Sequence, residues 1–290
     1  MRLRQNLRPA KIFLPPLVGV FLSISGFGTA SDYGTTGLID TPTARMQSDG
    51  TFSTTAAFDG RHRQFAITYQ ATPWLEGTFR YTGFDNFFHW DRNYEFKARL
   101  WDEDYYSPVV AIGIRDLVGT GVFGSEYVVA SKQFGQTDVS FGLGWGRLAG
   151  TGDISNPAKW ISSRFDVRNA EVGEGGELSL DNFFSGSEVG FFGGIEHRFS
   201  ALPLSLIAEY NPDQYDFDVA RGGLRPKSPL SVGLTWDALP GVAITASYQH
   251  QEELGLAFQF SLDSSAEPPR RPPNDFISSY YLSQADLPSQ

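Results

Sequence analysis

The 290-residue chain contains no cysteine. That absence excludes a disulfide framework, a lipid anchor on an N-terminal cysteine, a cysteine-based metal site and a cysteine nucleophile. Beyond residue 30 no apolar run approaches the roughly 20 residues of a membrane helix. Positive charge is in the minority: 23 Lys and Arg against 33 Asp and Glu give a formal net charge of −10. Nucleic acid is therefore not an expected partner. His62, His89, His197 and His250 show no HxxxH spacing and no carboxylate at metal-ligand spacing, so neither a metal nor a cofactor is expected.

What is present begins with an export signal. Arg2, Arg4, Arg8 and Lys11 form a basic head, Ile12 to Phe27 is largely apolar, and Gly28-Thr29-Ala30 is a small-x-small cleavage signature. Pro15 and Pro16 interrupt the apolar stretch, which is too short to span. We read residues 1–30 as a cleaved signal peptide, with the mature chain starting near Ser31. Its removal would take the net charge from −10 to −14.

The rest of the chain alternates with a period of two. In Leu75–Phe84, Leu75, Gly77, Phe79 and Tyr81 share one parity, and Glu76, Thr78, Arg80 and Thr82 the other. That is a strand with one apolar and one polar face. Twelve such segments run at approximately 51–59, 62–72, 74–83, 94–102, 108–116, 125–134, 137–147, 187–199, 203–211, 229–237, 241–250 and 254–262. Ser125 to Phe134 alternates least well. Most are near the ~9–11 residues of a tilted membrane strand.

Connections alternate between short and long, and the three longest (84–93, 148–186 and 212–228) fall in the same set. Outer-membrane barrels show this asymmetry, with short periplasmic turns and long extracellular loops. Within the strands, Glu76, Arg80, Glu95, Lys97, Arg99, Arg115, Glu126, Lys132, Glu196, Arg198 and Glu209 are read as lying opposite the apolar parity, in a wet lumen. A cation facing lipid at mid-membrane costs about 2–4 kcal/mol. Alternation alone also fits a soluble β-sandwich. The export signal, the loop asymmetry and the 14% aromatic content favour an all-β transmembrane antiparallel up-and-down barrel of about twelve strands.

The closing stretch ELGLAFQF (Glu253 to Phe260) resembles the insertion signal on the last strand of bacterial outer-membrane barrels. The organisation expected is a signal peptide (1–30), a periplasmic plug segment leading into the barrel (31–50), the barrel (51–262) and a Pro-rich periplasmic tail (263–290). The plug segment holds the most motif-like run, GLIDTPTARMQSDG. Asp40, Thr41 and Thr43 can bond their own backbone in turns, Pro42 fixes φ, and Arg45 can pair with a lumen carboxylate. We expect this segment to fold against, or partly plug, the barrel mouth.

This run, together with ATPWLEGTFRYTGF, VAIGIRDLVGTGVFGSEYVVASK, GLGWGRLAG, NPAKW and GGIEHRF, resembles the YjbH-type exopolysaccharide outer-membrane proteins from about Tyr33 to Leu262. The resemblance implies a large outer-membrane protein tied to making or exporting extracellular polysaccharide. Many such proteins carry a second, C-terminal half, and this chain corresponds to the first.

A non-catalytic role follows, with acidic polysaccharide passing through or docking on the barrel. Inward Arg and Lys would hold acidic sugar groups, and Gly142, Gly144, Gly190 and Gly194 would set free width. Outer-membrane lipid, extracellular polysaccharide and a periplasmic export protein bound by the tail are the partners implied. One alternative is a scaffold that anchors such an export partner. A second is a lipid-acting enzyme, since His197 and His250 lie on the outward parity. No paired nucleophile accompanies them.

Overall fold

The computed structural model describes residues 28–85, 89–168, 177–178, 183–223 and 225–264. The leader through residue 27 and the tail beyond Ser264 lie outside the described residues. Twelve principal strands are β1 (Thr51–Phe58), β2 (His62–Thr72), β3 (Leu75–Phe84), β4 (Trp90–Trp101), β5 (Val109–Arg115) and β6 (Ser125–Phe134). They continue with β7 (Thr137–Gly144), β8 (Glu188–Arg198), β9 (Leu204–Tyr210), β10 (Leu230–Leu239), β11 (Val242–Gln249) and β12 (Glu253–Asp263). Each pairs antiparallel with the next. β12 returns to β1, with Phe52 opposite Leu262 and Ala57 opposite Ala257. The sheet is a closed barrel and leaves no free edge.

Burial separates this barrel from a soluble sandwich. Phe65, Ile67 and Tyr69 of β2, Val232, Leu234 and Trp236 of β10, and Leu256, Phe258 and Phe260 of β12 are exposed. On the alternate positions Gln64, Thr68 and Gln70, Ser231 and Thr235 are buried. Apolar outside and polar inside inverts the arrangement of a water-soluble protein. It suits a hydrocarbon belt around the barrel. Among the described residues no helix is long and apolar enough to cross a membrane.

Geometry at the short turns follows their sequences. Gly135 (φ 62°) and Gly241 (φ 78°) take the left-handed conformation that reverses the chain after β6 and β10. Register shifts at Gln70/Thr72, Arg99/Trp101 and Asp237/Leu239 lie at the same end. Trp74, Trp101 and Phe134 stand exposed there as one aromatic rim. At the long-loop end Trp90 stacks on Tyr81, with ring centres 4.7 Å apart.

Two expectations need correction. β6 turns Ser125, Tyr127, Val129 and Ser131 inward, so Glu126 and Lys132 share the outward parity with Val128 and Ala130. Both charges escape the hydrocarbon because they sit near strand ends. Arg168 (2.8 Å) and the Phe184 amide (2.8 Å) cover Glu126, and Lys132 pairs with Glu103 at 3.0 Å. Arg63 is a further outward charge, and it meets Asp85 at 2.7 Å at the loop end. His250 is fully buried rather than outward. β11 ends at Gln249, and the positive φ of His250 (55°) and Gln251 (57°) swings the imidazole into the lumen.

The outer face gives a depth test. Phe258 lies mid-strand opposite Ala56 and Ile244, whereas Leu262 lies near the strand end. Phe258→Arg is expected to cost about 2–4 kcal/mol and Leu262→Arg about 0–1 kcal/mol. Comparing unheated and heated electrophoretic mobility should show folded barrel lost for the first and largely retained for the second.

Candidate functional site in the barrel lumen

The N-terminal segment does not stop at the mouth. Residues 28–50 run up inside the barrel and back. At the long-loop end Tyr33 clusters with Phe84, Val122 and Phe123. Returning toward the short turns, Ala44 packs with Val109, Ala111 and Tyr127. The segment is a tight hairpin: the Asp32 amide donates to the Ile39 carbonyl (2.7 Å), Gly37 to Thr29 (3.0 Å) and Thr43 to Thr36 (3.2 Å). Gly34 has φ +89°, and a Cβ there would lie 2.2 Å from the Ala66 Cβ, so the backbone crosses β2 where only glycine fits.

Lumen charges hold this plug. Glu209 on β9 is capped by three successive amides: Ile39 (2.9 Å), Asp40 (3.0 Å) and Thr41 (3.0 Å) donate to its Oε2, with the Thr41 hydroxyl at 2.9 Å. Glu76 on β3 accepts from the Thr36 amide (3.0 Å) and hydroxyl and pairs with Lys97 (3.1 Å). Lys97 Nζ also donates to the carbonyls of Thr36 and Arg45, each at 2.9 Å. Arg115 donates to the Asp40 carbonyl (2.9 Å) and pairs with Glu95 (3.3 Å), which also accepts from the Tyr127 hydroxyl (3.1 Å). At the short-turn end Arg45 bonds Asp138 (2.9 Å) and pairs with Glu103 (2.6 Å).

A second layer caps the plug from the loops. Asp40 accepts from the Tyr215 hydroxyl (3.1 Å) and from Asn211 (3.3 Å), and His250 Nε2 lies 3.1 Å from the same hydroxyl. Burial opposes the charged form of Asp40. His250, whose Nε2 lies 3.6 Å away, outweighs it together with the Tyr215 hydroxyl and the charge of Arg115, and the carboxyl is held below the ordinary range. Asp218 joins His62 at 2.7 Å, and Arg147 joins Asp213 at 2.6 Å. Arginines and rings alternate through this layer. Arg115 and Arg80 lie 4.4 and 4.0 Å from the centre of Tyr33, Arg80 and Arg147 lie 4.2 and 4.7 Å from Phe123, and Arg147 and Arg61 lie 4.9 and 4.6 Å from Tyr215. Such contacts contribute about 0.5–2 kcal/mol each.

The structure thus gathers Glu76, Arg80, Glu95, Lys97, Arg115 and Glu209 around Asp40, Thr41 and Arg45. These six wall charges are between 0 and 4% exposed, so the lumen is filled rather than wet. Thr43 and Pro42 shape the hairpin: the Thr43 hydroxyl accepts from the Arg45 amide (3.4 Å), and Pro42 lies opposite Gly37. Arg99, Glu196 and Arg198 stand apart near the short turns, where Arg99 meets Asp102 (2.9 Å) and Arg198 meets Glu196 (3.4 Å). The glycines expected to give free width are also occupied. Phe192 fills the space at Gly142 and Leu148 that at Gly144, the Leu148–Ala149 backbone lies against Gly190, and the Ala208 carbonyl and Leu38 lie against Gly194.

Sequence reasoning missed His62, Asp218, Tyr215, Arg147 and Tyr33. The partners are far apart in the chain, His62 and Asp218 by 156 positions, and no local spacing betrays them. Among the described residues no cluster of three or more His, Asp or Glu could hold a metal.

Two predictions follow from this geometry. Hydrogen bonds to a charged group contribute roughly 1.5–3 kcal/mol, so Glu209→Gln should loosen the plug. Because the chain has no cysteine, Ser31→Cys supplies a single, buried thiol as reporter. Its maleimide labelling should be slow alone and at least about tenfold faster with Glu209→Gln, since tenfold corresponds to about 1.4 kcal/mol. The second prediction concerns Asp116, whose carboxyl accepts from the Phe123 amide at 3.0 Å. Burial, then the charge of Asp91, raises it to about 6 from 3.8. The folded state holds this proton more tightly than the unfolded chain, so stability is complete below about pH 4 and is lost as pH rises through about 6. Asp116→Asn should raise the Tm at pH 8, by the equivalent of about 1–3 kcal/mol, and leave it unchanged at pH 4.

Comparison with known proteins agrees with the sequence pattern. Residues 29–275 match the family model described as "Exopolysaccharide biosynthesis protein YbjH". "Uncharacterized lipoprotein YjbH" from Escherichia coli (strain K12) is 36% identical over 244 residues, covering 80% of this chain and 34% of that protein. The chain therefore spans about a third of that relative's length. Among solved structures the KdgM porin has a TM-score of 0.41 at 7% identity, covering 73% of this chain and 99% of that one. A NanC porin has 0.40 at 8%, covering 73% and 99%. Likeness of this degree carries no functional argument. The barrel, its apolar outer face and the family match make this an outer-membrane or envelope protein, and the chain belongs to the YjbH family of exopolysaccharide biosynthesis proteins.

Proposed function

We propose that this chain is a plugged outer-membrane barrel that serves exopolysaccharide export or assembly without catalysing a reaction, and that acidic polysaccharide docks on it. In this reading the chain is exported by a cleaved signal peptide, the long loops face outward, and the plug enters from the periplasmic side. The barrel is closed at rest, and passage through it requires displacement of the plug.

One observation carries the reading. The lumen charges that would line a wet pore are instead nearly inaccessible to water and bonded to the plug, as at Glu209 with three backbone amides and Lys97 with two carbonyls. Glu76 and Glu95 are each tied to a cation, and this supports holding rather than acid–base chemistry. A porin mechanism needs a continuous aqueous path, and a filled lumen does not supply one. The family's association with exopolysaccharide provides the substrate class.

Planar-bilayer recording tests the closed state. Wild-type protein should show almost no steady conductance, and the double variant Glu76→Gln, Glu209→Gln should open in discrete steps. Steady, large conductance from wild type would sink the reading. In cells, deleting the gene should lower surface exopolysaccharide, and the wild-type chain should restore it. An unchanged polysaccharide level would remove the assignment to this process.

A further inference from the structure

Arg80 is the anomalous group of the lumen. It is 1% exposed, yet among the described residues no carboxylate lies within 4.0 Å of its guanidinium. Its hydrogen bonds go to neutral amides, Asn93 (3.2 Å) and Gln64 (3.0 Å), and its Nη2 has no partner. Glu95 and Asp91 act on it only at a distance, and a buried cation with no carboxylate in contact carries a desolvation cost. Two more unpartnered polar groups stand near it. Thr82 Oγ1 is two residues along the same inward face of β3, and Arg147 Nη1 belongs to the guanidinium that shares Phe123 with Arg80. What Arg80 does have is the ring of Tyr33, which also meets Arg115. Tyr33 is carried by the plug, not by the wall.

We propose that the place held by Tyr33 against Arg80 and Arg115 is a binding slot for one acidic pyranose ring, which the plug keeps occupied until polysaccharide displaces it. The inference rests on the proposed polysaccharide role and specifies its ligand as a carboxylated sugar. A six-membered sugar ring is close to a phenol ring in breadth. Its carboxylate would give Arg80 a counter-charge in direct contact through a charge-assisted, bidentate pair. Its hydroxyls would satisfy Thr82 and Arg147, which Tyr33 leaves unpaired. Plug and polymer thus compete for the same cations: the plug offers a π face and backbone carbonyls where the sugar offers an anion and hydroxyls.

The test is calorimetric titration of the detergent-solubilised mature chain with a mannuronate hexamer, with maltohexaose as the neutral comparison and acetate as the small anion. Tyr33→Ala empties the slot and should bind the hexamer at least tenfold more tightly than wild type. Tyr33→Phe, which keeps the ring, should match wild type. Adding Arg80→Gln to Tyr33→Ala should abolish the gain, and maltohexaose should show none. Glu209→Gln loosens the plug without touching the slot and should shift affinity in the same direction, so the test survives if Tyr33→Ala fails to assemble. The slot is refuted if neither variant gains affinity, if Arg80→Gln leaves the gain intact, or if maltohexaose or acetate gains equally. If Tyr33→Ala conducts but gains no affinity, the slot falls and the plugged barrel stands. If wild type conducts freely, the underlying reading falls instead.

Discussion

Charges enclosed in a space from which water is excluded must find partners, and most of this molecule's interior can be derived from that requirement. The β-barrel solves the backbone side of the problem by closing on itself, with β12 bonded to β1 along eight residue pairs. Side chains pose a second problem. Glu76, Glu95, Lys97, Arg115 and Glu209 line a lumen too wide for them to reach one another in every direction. The plug brings what the wall lacks: peptide N–H groups for the carboxylates and peptide carbonyls for the cations. Glu209 shows this most clearly, since three successive amides of Ile39, Asp40 and Thr41 converge on one carboxylate. Such a nest is an anion site made chiefly of backbone, with the Thr41 hydroxyl as its one side-chain donor.

The same requirement explains where glycine appears. Gly194 and Gly233 face Leu38 and Ile39 of the plug, which also touch Ile207. A side chain at Gly194 would press within 2.8 Å of Leu38. Gly113 makes room for the Tyr127 ring, and Gly142 for Phe192. Small wall residues therefore create space that larger apolar groups fill, and the barrel is packed like a protein core over much of its bore. Wall and plug complement each other in shape as well as in charge. Neither would be satisfied alone, and the loop-end layer of Arg147, Tyr215 and His250 adds a third component that touches both.

Much of the barrel was legible because membrane and lumen impose opposite demands at every second residue. Strands such as β3 and β12 state this rhythm without interruption, and the sequence segments fall within a few residues of the observed strands. β6 was read less well because Tyr127 and Val129 are apolar yet face inward, against Phe192 and Ala44, so both parities look greasy. His250 was misplaced because periodicity cannot announce where a strand ends in a left-handed turn. The grouping of inward charges could be read from parity, but their partners could not. Parity says which way Arg80 points and nothing about a ring delivered from Tyr33, 47 residues earlier in the chain. The apolar plug positions Leu38 and Ile39 likewise look like any short hydrophobic run until Ile207 is seen opposite them.

The anchors of the plug differ along the bore. At the short-turn end the fastening is Arg45 with Asp138 and Glu103, and Arg45 and Glu103 are partly solvent-exposed there. Arg45 forks onto Asp138 through Nε and Nη2, a bidentate charge-assisted pair. Deeper in, Glu76, Lys97 and Glu209 hold the segment through further buried, charge-assisted bonds. Beyond them Asp40 and Tyr33 are covered by Tyr215, His250 and Phe123 from the loops. Movement toward the long loops meets that lid and the buried anchors together. At the short-turn end the Arg45 contacts come first and the buried bonds follow in succession, and among the described residues no loop layer covers them there. The loop layer therefore covers the plug on the side away from its junction with β1, and Tyr33 and Asp40 are the plug residues that lie directly beneath it.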